Sequence, residues 1–166
     1  AAVPFGDVVV LAVKPQQMRE VARALAPHLR GELVLSSAAG IRSVDLARWL
    51  GGHARLARCM PNTPALIGAG ITGLYARPEA GSEGRAQVQT ILEAVGEAIW
   101  VEDEALLDPV TAVSASGPAY VFYFIEALER TIALAPTIAL PGHGDPIADP
   151  VARARELIAH HDERLE

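Results

Sequence analysis

Residues placed to meet a ligand fall in four short stretches of this chain, each interrupting or ending an apolar run. Lys14 and Pro15 close the run of residues 8–13, and a lysine at the carboxyl end of a buried strand would meet an anion there. Ala38-Ala39-Gly40 ends a second run with side chains small enough for a flat ring or a phosphate to approach the backbone. Met60-Pro61-Asn62-Thr63-Pro64 ends a third, and its two prolines fix φ on either side of Asn62 and Thr63, presenting both polar side chains rigidly. Ser114-Ala115-Ser116-Gly117-Pro118 reads as a helix start, with hydroxyls for the cap and proline at the first helical position. The free N–H groups of Ala119 and Tyr120 would then form a carboxylate site. Each stretch taken alone also fits a plain turn or cap, so the weight lies in three such loops sharing one sheet edge.

Other chemically capable residues carry less. Gly68-Ala69-Gly70-Ile71-Thr72-Gly73 matches G-x-G-x-x-G letter for letter, but that fingerprint works only between a strand and a helix. Leu74-Tyr75-Ala76 continues as strand, so a glycine-eased bend is expected instead. Cys59 is the only cysteine; it lies in a strand without a paired histidine nearby in sequence and is expected to pack rather than react. His28, His53, His160 and His161 read as solvated or capping residues. His143, between Gly142 and Gly144, stands where a metal-ligand loop would be, but one histidine makes no metal site.

The elements that must position these stretches are visible as apolar periodicities. Residues 8–13 form a continuous β-branched run, the pattern of a central parallel strand covered on both faces. Met18, Val21, Ala22, Leu25 and Leu29 then recur at helical spacing, predicting a helix over 16–29. The unit repeats: a strand over 33–36, a helix capped by Ser43, and Gly51-Gly52 as its stop. Further strands are expected over 55–60, 71–76 and 98–101, with a helix from Ser82 to Val95. Alternation of this kind predicts an α/β fold with a doubly wound parallel sheet. From residue 103 the pattern turns helix-only, with helices over 105–113 and 118–134, and a new domain is expected to start there. A short strand over 137–140, a Pro/Gly-rich loop over 141–146 and a charged helix over 149–166 complete the expectation.

Composition bounds the function. With 14 Lys and Arg, scattered along the sequence, against 20 Asp and Glu, a formal charge of −6 argues against a dedicated nucleic-acid binder. No apolar run approaches the ~18 residues of a membrane span, and a single cysteine gives no sign of an oxidising compartment, so a cytoplasmic location is expected. The chain opens without Met, almost directly into a strand at Asp7, and is expected to have lost upstream sequence.

In order and spacing, residues 7–15, Ala38-Ala39-Gly40, residues 60–65 and residues 113–120 resemble pyrroline-5-carboxylate reductase, from about residue 7 to about residue 128. The resemblance implies a Rossmann-type domain (residues 1–102) binding NADPH, with NADH as the alternative. The start of a helical dimerisation domain (103–130) would come next, in a family that forms homo-oligomers. Carried over by position, Val13, Lys14, Pro15, Ala38, Ala39 and Gly40 would line the nicotinamide, Asn62 and Thr63 would lie beside it, and Ser114, Ser116 and Gly117 would bind the small-molecule substrate. No certain catalytic residue is implied. The reaction implied is hydride transfer to the C=N carbon of 1-pyrroline-5-carboxylate, giving L-proline. Measured against the family, the phosphate-binding first turn and the later helices are expected to be missing, leaving an incomplete, inactive copy. Residues 131–166 resemble instead the final segment of metallo-β-lactamase-fold hydrolases, whose zinc-ligand histidine His143 would match. Two alternatives stand beside the reductase: a zinc-dependent hydrolase fragment, discriminated by a second His/Asp cluster that the sequence lacks, and a non-catalytic dimerisation module built on the helix after Pro118.

Overall fold

The structure, a computed structural model, describes residues 6–134 and 147–162. Its centre is a five-stranded sheet in the order β1 (Val8–Leu11), β2 (Leu33–Ser36), β3 (Leu56–Met60), β4 (Gly70–Ala76) and β5 (Gly96–Trp100). Helix α1 (Pro15–Leu25) crosses from β1 to β2, α2 (Ser43–Trp49) from β2 to β3, and α3 (Gly81–Glu93) from β4 to β5. Pro27 cannot continue the i→i−4 ladder, so α1 gives way after Leu25 to a short 3₁₀ turn, Ala26–His28, and stops short of the residue 29 expected from periodicity. The helix expected to be capped by Ser82 begins one residue earlier, at Gly81.

The sheet is α/β as expected but not wholly parallel. β1, β2 and β3 run parallel, β4 runs antiparallel to β3, and β5 is parallel to β4. The connection from β3 to β4 spans residues 61–69. A parallel crossover needs a dozen or more residues, so this shorter link can only return the chain antiparallel.

The reversal decides where the helices lie. Right-handed crossovers put α1 and α2 on one face; once the strand direction inverts while the sheet keeps growing the same way, the next right-handed crossover puts α3 on the other. Two cores result, and alternate residues of one strand feed both: Val34 packs with Met18, Ala22 and Leu46, while Leu33 and Leu35 pack with Val88 and Leu92. β2 is therefore buried along its whole length. β1, expected to be central, is at the sheet's edge among the described residues, and Val10 is half exposed there.

Beyond β5 the chain is helical. A 3₁₀ turn, Glu104–Leu106, leads into α4 (Leu107–Val110) and a π-helical segment, Thr111–Ser116. Gly73 lets α4 close onto β4: a Cβ there would lie 2.9 Å from Val110 Cγ1 and 3.3 Å from Leu107 Cδ2. The chain divides into two compact units, Ala1–Ser116 and Gly117–Glu166, so residues 103–116, expected to open a new domain, group with the sheet. In the second unit α5 (Gly117–Leu134) packs with α6 (Pro150–Asp162), which Asp149 caps by accepting from the Ala152 amide at 2.8 Å. The expected strand over 137–140, the loop over 141–146 and His143 lie outside the described residues.

Candidate functional site

Because β1, β2 and β3 are parallel neighbours, the loops at their carboxyl ends lie in sequence along one sheet edge. Register aligns their ends, with Leu11 opposite Ser36 and Ser36 opposite Arg58. After β1, Val13 is half-buried, Lys14 is exposed at the N-cap position of α1, and Pro15 is the first helical residue. After β2, the Ser37 amide donates to Leu11 O at 3.2 Å, tying the first two loops together. Ala38 is buried, its amide donating to Ser36 Oγ at 3.3 Å, and Ala39 and Gly40 are exposed. Gly40 has φ 71°, a left-handed conformation that favours glycine. The result is a stretch of accessible backbone beside an exposed lysine. After β3, Thr63 opens a 3₁₀ turn, Thr63–Ile67, and is exposed.

Asn62 joins this edge to the helical segment. Its Nδ2 donates to Ser114 Oγ at 3.1 Å, and its Oδ1 accepts from the Ile71 amide at 2.9 Å. The amide is thus held at both ends, and the proline-bracketed loop after β3 is fixed against the π-helical segment that carries Ser114 and Ser116. Both serines are half-buried. The expected helix start is different, since residues 111–116 are already helical, Gly117 precedes Pro118 in α5, and Ser114 bonds Asn62 instead of capping. The carboxylate site expected from free N–H groups at Ala119 and Tyr120 therefore loses its basis. Gly117 belongs to the second unit. An apolar hollow of about 470 Å³, walled by Ile71, Gly73, Ile99 and Val113, reaches Ser114; its lining does not include Lys14, Gly40 or Asn62.

The most connected polar group of this region was not anticipated. Glu104 accepts from the Ser43 amide at 2.6 Å, from Ser43 Oγ at 2.7 Å and from Arg58 Nη1 at 2.8 Å, while Arg58 Nη2 reaches Ala38 O at 3.4 Å. Ser43, expected as the N-cap of α2, is its first helical residue; Arg42 holds the cap position, and Ser43 spends its hydroxyl on Glu104. Arg58 is only 2% exposed. Burial pushes the Glu104 carboxyl upward, but the Ser43 hydroxyl, the Ser43 amide and Arg58 together outweigh it and hold the group below its ordinary value. The available signal was Arg58 itself, a lone charge inside the apolar strand Leu-Ala-Arg-Cys-Met, which burial obliges to find a partner.

Cys59 is buried in the second core, and burial pushes its thiol up to about 11, in keeping with a packing residue. The G-x-G-x-x-G match is a bend into β4, as expected: Gly68 ends the preceding turn at φ 75°, and residues from Gly70 are strand. His53 Nε2 bonds Glu32 O at 2.8 Å. Among the described residues, no group of three or more His, Cys, Asp or Glu is arranged to hold a metal ion, and no helix is long and apolar enough to cross a membrane.

An open α/β sheet with its polar loops along the carboxyl edge of parallel strands is a Rossmann-type fold. The model of a family described as NADP oxidoreductase, coenzyme F420-dependent, matches residues 1–40, and that of pyrroline-5-carboxylate reductase dimerisation matches residues 104–135. Over its sheet and the segment after it, the chain is similar to pyrroline-5-carboxylate reductases. Pyrroline-5-carboxylate reductase of Pseudomonas aeruginosa is 52% identical over 128 residues, covering 76% of this chain and 47% of the relative. That of Haemophilus influenzae is 42% identical over 127 residues, with the same coverage. The chain thus spans about half the length of these relatives. Among solved structures, a pyrroline-5-carboxylate reductase from Coxiella burnetii has TM-score 0.69 at 34% identity, covering 95% of this chain and 56% of that one. The Plasmodium falciparum pyrroline carboxylate reductase with NADP bound has TM-score 0.73 at 26% identity, covering 95% and 55%.

Proposed function

We propose that this chain carries the nicotinamide-facing part of an NADPH-dependent reductase that converts 1-pyrroline-5-carboxylate to L-proline. The observation that carries the reading is the pair of hydrogen bonds of Asn62, which accepts from the Ile71 amide and donates to Ser114, joining the loop after β3 to the segment that bears Ser114. NADPH would supply the hydride, from C4 of its dihydronicotinamide to the C=N carbon of the substrate. The residues at hand fit such a group: Ala39 and Gly40 offer exposed backbone to a flat ring without side-chain obstruction, buried Ala38 anchors them, and Val13, Lys14 and Pro15 flank them across the neighbouring strand. Asn62 and Thr63 would border the ring, and Ser114 and Ser116 would face the substrate. A protonated imine is already electrophilic, so the work left to the protein is alignment of the two rings, which suits rigid loops better than a charged catalytic set.

The proposed organisation is part of a nucleotide-binding domain that the segment over 103–116 completes, the start of a dimerisation domain from Gly117, and a tail of separate origin over 131–166 that includes His143. A cytoplasmic, homo-oligomeric protein fits this reading. The match of residues 104–135 to a dimerisation family supports the association, as does α5, which leaves Tyr120, Phe122, Tyr123 and Phe124 exposed among the described residues. Sedimentation at several concentrations checks it, and a strict monomer would overturn it. For the cofactor, NADPH titration followed by nicotinamide emission should show saturable binding that weakens about tenfold in Asn62→Ala, the scale of one or two lost hydrogen bonds. A chain that binds no NADPH refutes the functional reading.

A further inference from the structure

We propose that Glu104, with Ser43 and Arg58, is a positioning device that holds the Ala38–Gly40 loop in the shape required to receive the nicotinamide ring. The inference rests on the functional reading above and adds residues to it. Glu104 lies at the start of the segment that leads to Ser114, whereas Ser43 and Arg58 lie on either side of the cofactor loop, one at the helix after it and one on the strand beside it. A single carboxylate therefore ties both supports of the loop together, through bonds of 2.6, 2.7 and 2.8 Å. Ser43 and Arg58 are 4% and 2% exposed, so water cannot readily replace the carboxylate as their partner. Arg58 extends the tie into the loop itself at Ala38 O. Ala39 and Gly40 carry no side chain long enough to anchor them, and their position is inherited from what holds Ala38 and Ser43 on either side.

None of the three residues is catalytic, since all act through the loop. The test is local amide hydrogen exchange together with NADPH titration of the whole chain, comparing the parent, Glu104→Gln and Ser43→Ala. The expected result is exchange accelerated at least about tenfold across residues 37–43, with β2 and β4 keeping their protection, and NADPH affinity reduced by a similar factor. Ser43→Ala, which removes only the hydroxyl, should show the same pattern at smaller amplitude and keeps the test valid should Glu104→Gln fold poorly. A merely structural role would instead raise exchange across the whole sheet, and that outcome overturns the proposal. So does faster loop exchange with unchanged affinity, which would separate the loop from the cofactor. Absence of NADPH binding by the parent chain overturns the functional reading, and this proposal with it; normal binding in all three proteins overturns the positioning role alone.

Discussion

Replacing Glu104 by leucine removes the acceptor of three donors at once and leaves the Arg58 guanidinium buried without its carboxylate. Removing one partner of a buried ion pair costs ~3–5 kcal/mol, chiefly because the remaining charge stays desolvated. The Glu104 side chain is 18% exposed against 3% for Arg58, and it borders a hollow of about 200 Å³ through which water can reach the pair, so the lower end applies, about 3 kcal/mol. For a chain of this length that is a fall of roughly 6–12 °C in thermal midpoint. The companion change Arg58→Met in the same molecule removes the stranded charge, and a buried pair exchanged for apolar groups is close to neutral in stability. The double variant Arg58→Met/Glu104→Leu should therefore recover most of the loss, short of about 1 kcal/mol for the Ser43 amide left without an acceptor. Urea unfolding monitored by circular dichroism, run as a full double-mutant cycle, reads the coupling directly. A Glu104→Leu protein within about 0.5 kcal/mol of the parent, or a double variant less stable than that single one, would refute the reasoning.

Acid should act through the same carboxylate. Its folded-state pKa lies below the ordinary 4.5, so its contribution to stability is complete above the unfolded value and is lost as pH falls through the folded one. Stability measured from pH 6 downward should fall more steeply below about pH 4.5 in the parent than in Glu104→Leu, and parallel curves would contradict this. Gly73→Ala should cost ~1–3 kcal/mol by overpacking, because its Cβ would lie 2.9 Å from Val110 Cγ1, and Val110→Ala in the same molecule should restore part of it. Urea midpoints with and without the second change decide. Cys59, buried with its thiol pushed up to about 11, should react with a thiol reagent at pH 8 only as the chain unfolds. Labelling that ran equally fast with and without urea would show the side chain to be accessible.

Five strands were legible because a buried strand declares itself through apolar, β-branched residues, and β2 appears over the four residues expected. The direction of β4 was not read from that pattern, since period-2 burial is the same for a strand run either way. It was nevertheless encoded in the length of the link over 61–69, too short for a parallel return. The proline-bracketed loop likewise announced that Asn62 would be rigid, but not what it would hold: Ser114 is 52 residues away, and no local periodicity couples the two. Polar pairs are hidden from sequence in this way because the partner of a buried donor is chosen by tertiary proximity, while its need for one is fixed by its own chemistry.

The pairing of Arg58 also bears on domain organisation. A charge inside an apolar strand requires a carboxylate, and the one it finds is Glu104, 46 residues on, at the first position of the segment matched to the dimerisation family. The change to helix-only pattern near residue 103 marks a change of secondary structure, yet the compact unit extends to Ser116. Leu107 packs fully buried beside Gly73, and Glu104 bonds both Ser43 and Arg58, so the residues after β5 complete the sheet's polar edge before the second unit begins. A cut made at the pattern change would therefore strand Arg58 just as Glu104→Leu does, and would expose the cleft that Gly73 leaves for α4.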